Sequence, residues 1–351
     1  MPNYELLCFG SNGNGQLGVG HDDDLILPQI SFQSAGAGIK KVACGGNHSL
    51  LLLEDGSLYW SGENTSGQCD SSGTKRSFNW VRLPGNFLDV ACGWEVTVVV
   101  DSDGWVRTRG RGDKGELGVP QLKRSDEWMY LFQCVDPGAA QCYATFQHCL
   151  VVVPEKIYGW GNNRKLQVCE DSSSKIIDTP TVVYEGDTAN TIVALGKDFT
   201  CIINKNENRM KLMGPLAKEI PKITSGLPNG VKSIVTADSM WSSLHILNDE
   251  KRLISVGRGL HGQFLEGSLP SDVVKFVTGS EHGIIVTKKM EVLCWGWGEH
   301  GNCGSLNSKE TNHINDKSNV ISPINLIGKY DNVSKIFGGC ATTWIVLQHE
   351  A

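Results

Sequence analysis

The sequence predicts an all-β chain folded as a seven-bladed β-propeller, and three observations predict it. First, one unit recurs along the chain. Its clearest copies are KVACGGNHSLLLLEDGSLYWSGENTSGQCD from Lys41, DVACGWEVTVVVDSDGWVRTRGRGDKGELG from Asp89 and VKFVTGSEHGIIVTKKMEVLCWGWGEHGNCG from Val274. Each reads as an apolar strand, a tight turn, a second apolar strand, a charged hairpin, a third strand and a glycine-rich loop. Self-similarity at such a period marks a repeat architecture. Second, a glycine ends the third strand in every copy, at Gly10, Gly62, Gly110, Gly161, Gly214, Gly257 and Gly296, with intervals of 52, 48, 51, 53, 43 and 39 residues. Third, 41 of the 351 residues are glycine, well above the usual share of roughly 7%, as turn-rich β structure requires.

Taken in order, the copies are out of phase at the two ends. The chain starts in a third strand, residues 5–9, and finishes in a second, residues 344–347. The expected closure therefore pairs the N-terminal strand with the C-terminal strands in one shared blade, leaving only short, protected sheet edges. Residues 1–351 are read as a single propeller domain with a polar insertion at 305–322.

The loop after the third strand follows G-x-N/G-x-x-G-Q/E-L. Gly10 to Gly15-Gln16-Leu17 is its clearest copy, and Gly110 to Gly115-Glu116-Leu117 follows it closely. Gly161 keeps Gln167 but has Leu166 where glycine is expected, and Met213-Gly214-Pro215 keeps almost nothing. Glycine recurs because such loops need positive φ. The turn between the first and second strands is Cys44-Gly45-Gly46-Asn47-His48-Ser49, then Cys92-Gly93-Trp94-Glu95-Val96-Thr97. Weaker copies include Cys142-Tyr143-Ala144-Thr145, Gly196 to Thr200, Ala237 to Trp241, Gly279 to Gly283 and Gly338 to Thr342. Because strands alternate direction, these turns and the glycine-rich loops share one face of the disc.

Composition narrows the function. A formal net charge of -6 and a pI near 5.9 argue against non-specific nucleic-acid binding, which needs a basic surface. The 12 cysteines contain no C-x-x-C pair. The start lacks a secretory pattern, and no apolar run approaches the roughly 18 residues of a membrane span. Mostly free thiols in a reducing cytoplasmic or nuclear location are expected. His282, His300 and Cys303, or His48 and Cys44, lack the close ligand pairs of zinc sites, so no metal or other cofactor is expected. No nucleophile elbow or phosphate loop is present. Glu281-His282 and Glu299-His300 are capable of acid–base work but read as loop-fixing neighbours. A non-enzymatic protein is expected.

The ten tryptophans divide by position. Trp60, Trp105, Trp160, Trp295 and Trp344 fall in strands and read as packing between blades. Trp94, Trp241 and Trp297 fall on the turn face, where exposed aromatics mark binding hot spots. They are expected to form the apolar centre of a partner-binding surface, with His48, Glu281, His282, Glu299 and His300 as its polar surround. Acidic Glu95 and Asp238 beside them favour a basic or polar partner.

The two repeated anchors resemble those of the regulator of chromosome condensation repeat family, seven-bladed propellers, across essentially the whole chain. A narrower resemblance, to a fungal branch of that family, rests on five runs. They are ACGGNHS at 43–49, VACGWE at 90–95, TGSEHGI at 278–284, CWGWGEHGNCG at 294–304 and FGGCATTWIVL at 337–347. Residues 120–250 match by spacing alone. The resemblance implies a heterodimer with a small CSL-type zinc-finger protein, any zinc being carried by that partner. Through it the chain would support Elongator-dependent wobble-uridine modification of tRNA and diphthamide synthesis on elongation factor 2. The family also implies an alternative, guanine-nucleotide exchange on a Ran-type GTPase, against which the acidic charge and the start directly in a strand both speak. A light-sensing reading would need tryptophans in successive G-W-x-H-T turns, and only residues 92–97 come near that pattern.

Overall fold

The computed structural model describes residues 2–265, 269–305 and 320–349, and they form seven antiparallel sheets. The closing blade runs Leu25–Ala35, Asn3–Gly10, Thr342–His349, Val333–Gly338 from rim to axis. Its central pairing is unbroken from Asn3↔His349 to Gly10↔Thr342. The expected closure is therefore present, and both chain ends are tied into one hydrogen-bonded ladder.

In each blade the second strand is almost wholly buried because it is covered on both faces. His48–Leu53, Val96–Asp101 and His282–Thr287 are buried at every position. Trp60, Trp160, Trp295 and Trp344 are fully buried in third or second strands. Two of them stitch blades together: Trp160 Nε1 donates to the Glu116 carbonyl at 2.7 Å and Trp295 Nε1 to that of Gln263 at 3.1 Å. Trp105 is only half-buried and lies edge-on against Tyr130.

The seven anchor glycines all have positive φ, between 90° and 112°. Just beyond six of them the chain makes the same contact. The residue after the glycine donates its N–H to the carbonyl of the preceding turn: Ser11 to Ala341, Glu63 to Asn47, Arg111 to Glu95, Asn162 to Gln147, Arg258 to Ser242 and Trp297 to Glu281. After Gly214 the next residue is Pro215, which has no N–H to give. There the loop is replaced by a 3-10 turn, Pro215–Glu219, a short helix, Ile220–Ser225, and a second 3-10 turn, Gly230–Ser233. Among the described residues, the blades on either side of this segment have three strands each, whereas the other five have four.

Residues 306–319, most of the expected insertion, lie outside the described residues. The expected end at 322 is corrected: Val320–Lys329 is the outer strand of the sixth blade, with Val320 paired to Trp297 and Ile321 to Gly296.

Leu166 stands where Gly15, Gly67, Gly115, Gly262 and Gly301 stand in other loops, and like them it has positive φ, 60°. An L-residue in the left-handed region costs about 1–2 kcal/mol, and the exposed Leu166 side chain recovers little of that by packing. Leu166→Gly is expected to stabilise the fold by about 1 kcal/mol, read as a higher urea midpoint at unchanged slope. A lower midpoint would show that the leucine is held by contacts worth more than its strain.

Candidate functional site

The inner turns close in the same way seven times. Gly45 N–H donates to the His48 carbonyl, and the same bond joins Gly93 to Val96, Thr145 to His148, Gly196 to Phe199, Met240 to Ser243, Gly279 to His282 and Gly339 to Thr342. These bonds set the register of the seven blades. One position past the first member of each pair stand Gly46, Trp94, Phe146, Lys197, Trp241, Ser280 and Cys340. Their backbones are linked around the axis: Gly46 N–H to the Trp94 carbonyl, Trp94 to Phe146, Lys197 to Trp241, Trp241 to Ser280 and Ser280 to Gly339, at 2.7–3.1 Å. All of these residues except Lys197 line an axial cavity of about 300 Å³, of which the belt forms the rim.

Three aromatic side chains meet on that rim. Ring centroids are 4.9 Å apart for Trp94 and Phe146, 5.7 Å for Trp94 and Trp241, and 5.8 Å for Phe146 and Trp241. All three pairs are tilted or edge-on, the arrangements that aromatic quadrupoles favour. Trp94 keeps 36% of its surface exposed. The Lys197 ammonium lies over Phe146, 4.3 Å from the ring centroid.

Phe146 was not among the expected site residues. Its signal was available, because aligning the turns on His48, His148 and His282 puts it two residues before the histidine, the position of Trp94 before Val96 and of Trp241 before Ser243. The turn as read, Cys142 to Thr145, stops one residue short of it.

Trp297 does not join this cluster. It follows Gly296 in the outer loop and stacks on His261, centroids 4.6 Å apart and planes 18° from parallel. The expected three-tryptophan centre is thus corrected to an axial trio containing two of them, with Trp297 as a separate outer aromatic.

The polar surround is corrected more sharply. His48 and His282 are buried, not presented to solvent. His48 Nε2 bonds Thr97 Oγ1 of the next blade at 3.4 Å, and His282 Nε2 bonds Thr343 Oγ1 at 2.9 Å. His148, in the same register, bonds Thr200 at 3.0 Å. The Thr343 hydroxyl already donates to the Asn302 carbonyl, so it accepts from His282 and places the imidazole proton on Nε2. Burial pushes the pKa of His48 and His282 down to about 4 and that of His148 to about 3. These neutral rings are fasteners between blades.

Glu281 is likewise a fastener. Its Oε2 accepts from Ser242 Oγ at 2.9 Å and from Gln263 Nε2 at 2.8 Å, and burial raises its pKa. Glu95 accepts in the same way from Ser66 Oγ at 2.8 Å. His300 is held by Asp24 at 2.8 Å, and Glu299 is exposed. Of the expected surround, then, Glu299 and His300 face outward near Trp297, while His48, His282 and Glu281 work within the scaffold.

Inside the cavity, two positions before the first member of each turn bond, the lining is small at Ala43, Ala91, Ala194 and Val277 and aromatic at Tyr143 and Phe337. Asp238 is the charged residue of that register. Burial pushes its carboxyl up to about 6.

Among the described residues, no three His, Cys, Asp or Glu side chains gather as a metal-holding group. His282, His300 and Cys303 each have separate partners, Cys303 lying on the Trp297 carbonyl. All 12 cysteines are free, and burial raises the thiols nearest the axis, Cys340 to about 12.

Comparison with known proteins agrees with this geometry. A family model described as the regulator of chromosome condensation (RCC1) repeat matches residues 5–52, and a related model of the same description matches 39–68. An RCC1 repeat-containing protein of Schizosaccharomyces pombe is 31% identical over 367 aligned positions, which cover 98% of this chain and 99% of that one. The secretion-regulating guanine nucleotide exchange factor of Mus musculus is 27% identical over 85% of this chain and 75% of its own. Among solved structures, yeast RCC1 (Prp20) bound to Kap60 superposes with a TM-score of 0.75 over 100% of this chain and 90% of that one, at 14% identity. That likeness speaks for the fold alone. The repeated anchors, the seven closed blades and the full-length fission-yeast relative together establish that this chain belongs to the regulator of chromosome condensation repeat family.

Proposed function

We propose that this protein is a non-enzymatic interaction module whose turn face docks a small CSL-type zinc-finger protein in a one-to-one heterodimer. Through that partner it would support Elongator-dependent tRNA wobble-uridine modification and diphthamide synthesis on elongation factor 2, in the cytoplasm and nucleus. The observation that carries the docking reading is the Trp94–Phe146–Trp241 trio at the axial rim. Large aromatic surface left partly open on a rigid belt is what a hot spot requires. The identity of the partner rests on the sequence runs at 43–49, 90–95, 278–284, 294–304 and 337–347. Trp297, His261, Glu299 and His300 would form the outer part of the contact.

The test is a calorimetric titration with the purified zinc-finger protein, run beside a nucleotide-release assay on a Ran-type GTPase. A one-to-one isotherm without faster release is expected. Trp94→Ala and Trp241→Ala should each weaken binding by about 2 kcal/mol or more, roughly thirty-fold, while the thermal midpoint stays near that of the parent. Unchanged affinity in both variants would move the interface off the axial rim. The likeness to a protein named as a guanine nucleotide exchange factor favours a second reading. Faster nucleotide release with no heat from the zinc finger would put exchange-factor activity in place of the first.

A further inference from the structure

Asp238 lies in the wall of the axial cavity without a countercharge. Its Oδ2 accepts from the Thr278 N–H and its Oδ1 from the Ser239 N–H, both at 2.8 Å. Among the described residues, no lysine, arginine or histidine comes within ion-pair distance of it. Asp89, on the inner strand of a non-adjacent blade, shows the contrast: Lys41, which also lines the cavity, neutralises it at 3.0 Å, and the Cys142 N–H donates to it at 2.6 Å. The half-buried Asp238 carboxylate therefore faces the cavity with no cation paired to it, and a carboxylate has lone pairs to spare beyond two backbone N–H donors. Three other blades hold alanine at the same register, so the fold does not require a carboxylate there in every blade.

Trp241 is three residues along the chain from Asp238, a backbone separation of roughly 10 Å at most, and with Trp94 and Phe146 it lines the same cavity. Their faces already attract one ammonium, that of Lys197 on Phe146, as ring quadrupoles do. The Lys197 amine makes no hydrogen bond or ion pair among the described residues, and its side chain is exposed. It is therefore free to swing away.

We infer that the axial cavity is a socket for one basic side chain, a lysine or arginine on a loop or terminus of the protein partner. The methylene stem passes the aromatic rim and the charged head meets Asp238. This inference rests on the docking reading above and specifies what the rim admits. Aromatic faces suit the apolar stem and the cation alike, and a cavity of about 300 Å³ has room for one such side chain. Lys197 is a resident competitor at the entrance and leaves when the partner's residue enters.

Two measurements test it. In calorimetry with the zinc-finger protein, Asp238→Asn is expected to weaken binding about ten-fold and Lys197→Met to strengthen it several-fold. Without any partner, n-butylammonium and n-propylguanidinium are expected to shift the tryptophan emission saturably. Neutral n-butanol should not, and neither cation should act on Asp238→Asn. A parent protein that binds the zinc finger, with Asp238→Asn binding equally well, would overturn the socket and leave the docking reading standing. A cation response in the parent that Asp238→Asn abolishes, without zinc-finger binding, would keep the socket and remove that partner. A cation response unchanged in Asp238→Asn would make the rim alone responsible and overturn the role of the carboxylate. Lys197→Met weakening the complex would show that Lys197 belongs to the interface, which overturns its role as competitor.

Discussion

Gly110→Ala is expected to destabilise the propeller by about 4 kcal/mol or more, measured by urea unfolding. Two costs combine at this position. Its φ of 110° lies outside what an L-residue adopts without strain. An added Cβ would also enter the van der Waals envelope of the Glu95 carbonyl oxygen. That oxygen cannot retreat, because it accepts the Arg111 N–H at 2.8 Å, the bond that ties the inner turn to the outer loop. Gly73→Ala is the control. Gly73 also has positive φ, 82°, but nothing lies within 4 Å of its Cβ position. It should cost only the backbone term, about 1–2 kcal/mol. Equal losses in the two variants would mean that the carbonyl contact is not what demands glycine.

The second large effect is in the pH dependence. His48, His148, His245 and His282 are buried as neutral rings, with pKa values pushed down to about 4, 3, 3 and 4 from an ordinary 6.5. The unfolded chain takes up a proton at each near pH 6.5 and the folded chain does not. The stability this represents is present above pH 6.5 and is lost as the pH falls towards the folded values. Asp238, raised to about 6, and Glu116, raised to about 7, act in the opposite sense. For them the folded state holds the proton more tightly, an advantage present at low pH and lost as the pH rises through 6 to 7.

The two sets offset one another in the parent protein, and substitution separates them. His148→Val, which copies Val96 at the same register, should be less stable than the parent at pH 7.5. It loses the Thr200 hydrogen bond and packing. The deficit should shrink by roughly 1.4 kcal/mol per pH unit between pH 6.5 and 4.5. Asp238→Asn should gain on the parent as the pH rises from 4 to 6.5. Urea midpoints at pH 7.5, 6.0 and 4.5 decide the matter, and a pH profile of His148→Val parallel to the parent's would mean that His148 is charged or solvated in the fold.

Much of the architecture was legible in the chain because it rests on local requirements. Gly10, Gly62, Gly110, Gly161, Gly214, Gly257 and Gly296 recur because the backbone at each third-strand end needs positive φ, a demand that any reading of spacing can detect. The closure followed from the phase of the two termini. Even the weak blade was marked, since Pro215 removes the N–H that the other loops use, although the helical segment that replaces the loop carries no repeat signal.

The site was less legible, and the reason is the same throughout. Trp94 and Trp241 could be placed on the turn face from strand alternation, but they are 147 residues apart, and only the curvature of the closed ring brings them and Phe146 together. Strand alternation also placed His48 and His282 at that face. It could not say that the next blade covers them, because burial between blades depends on a neighbour some fifty residues further on. Trp297 lies on the same face but at a larger radius, a coordinate that a repeat does not encode. The sequence by itself determined the blade count, the glycine positions and the closure, since each is set within one unit or at a chain end. Which side chains meet at the axis, which histidines are neutral fasteners, and that Asp238 lacks a cation were decided by tertiary structure alone, because each depends on contacts between blades that no single unit contains.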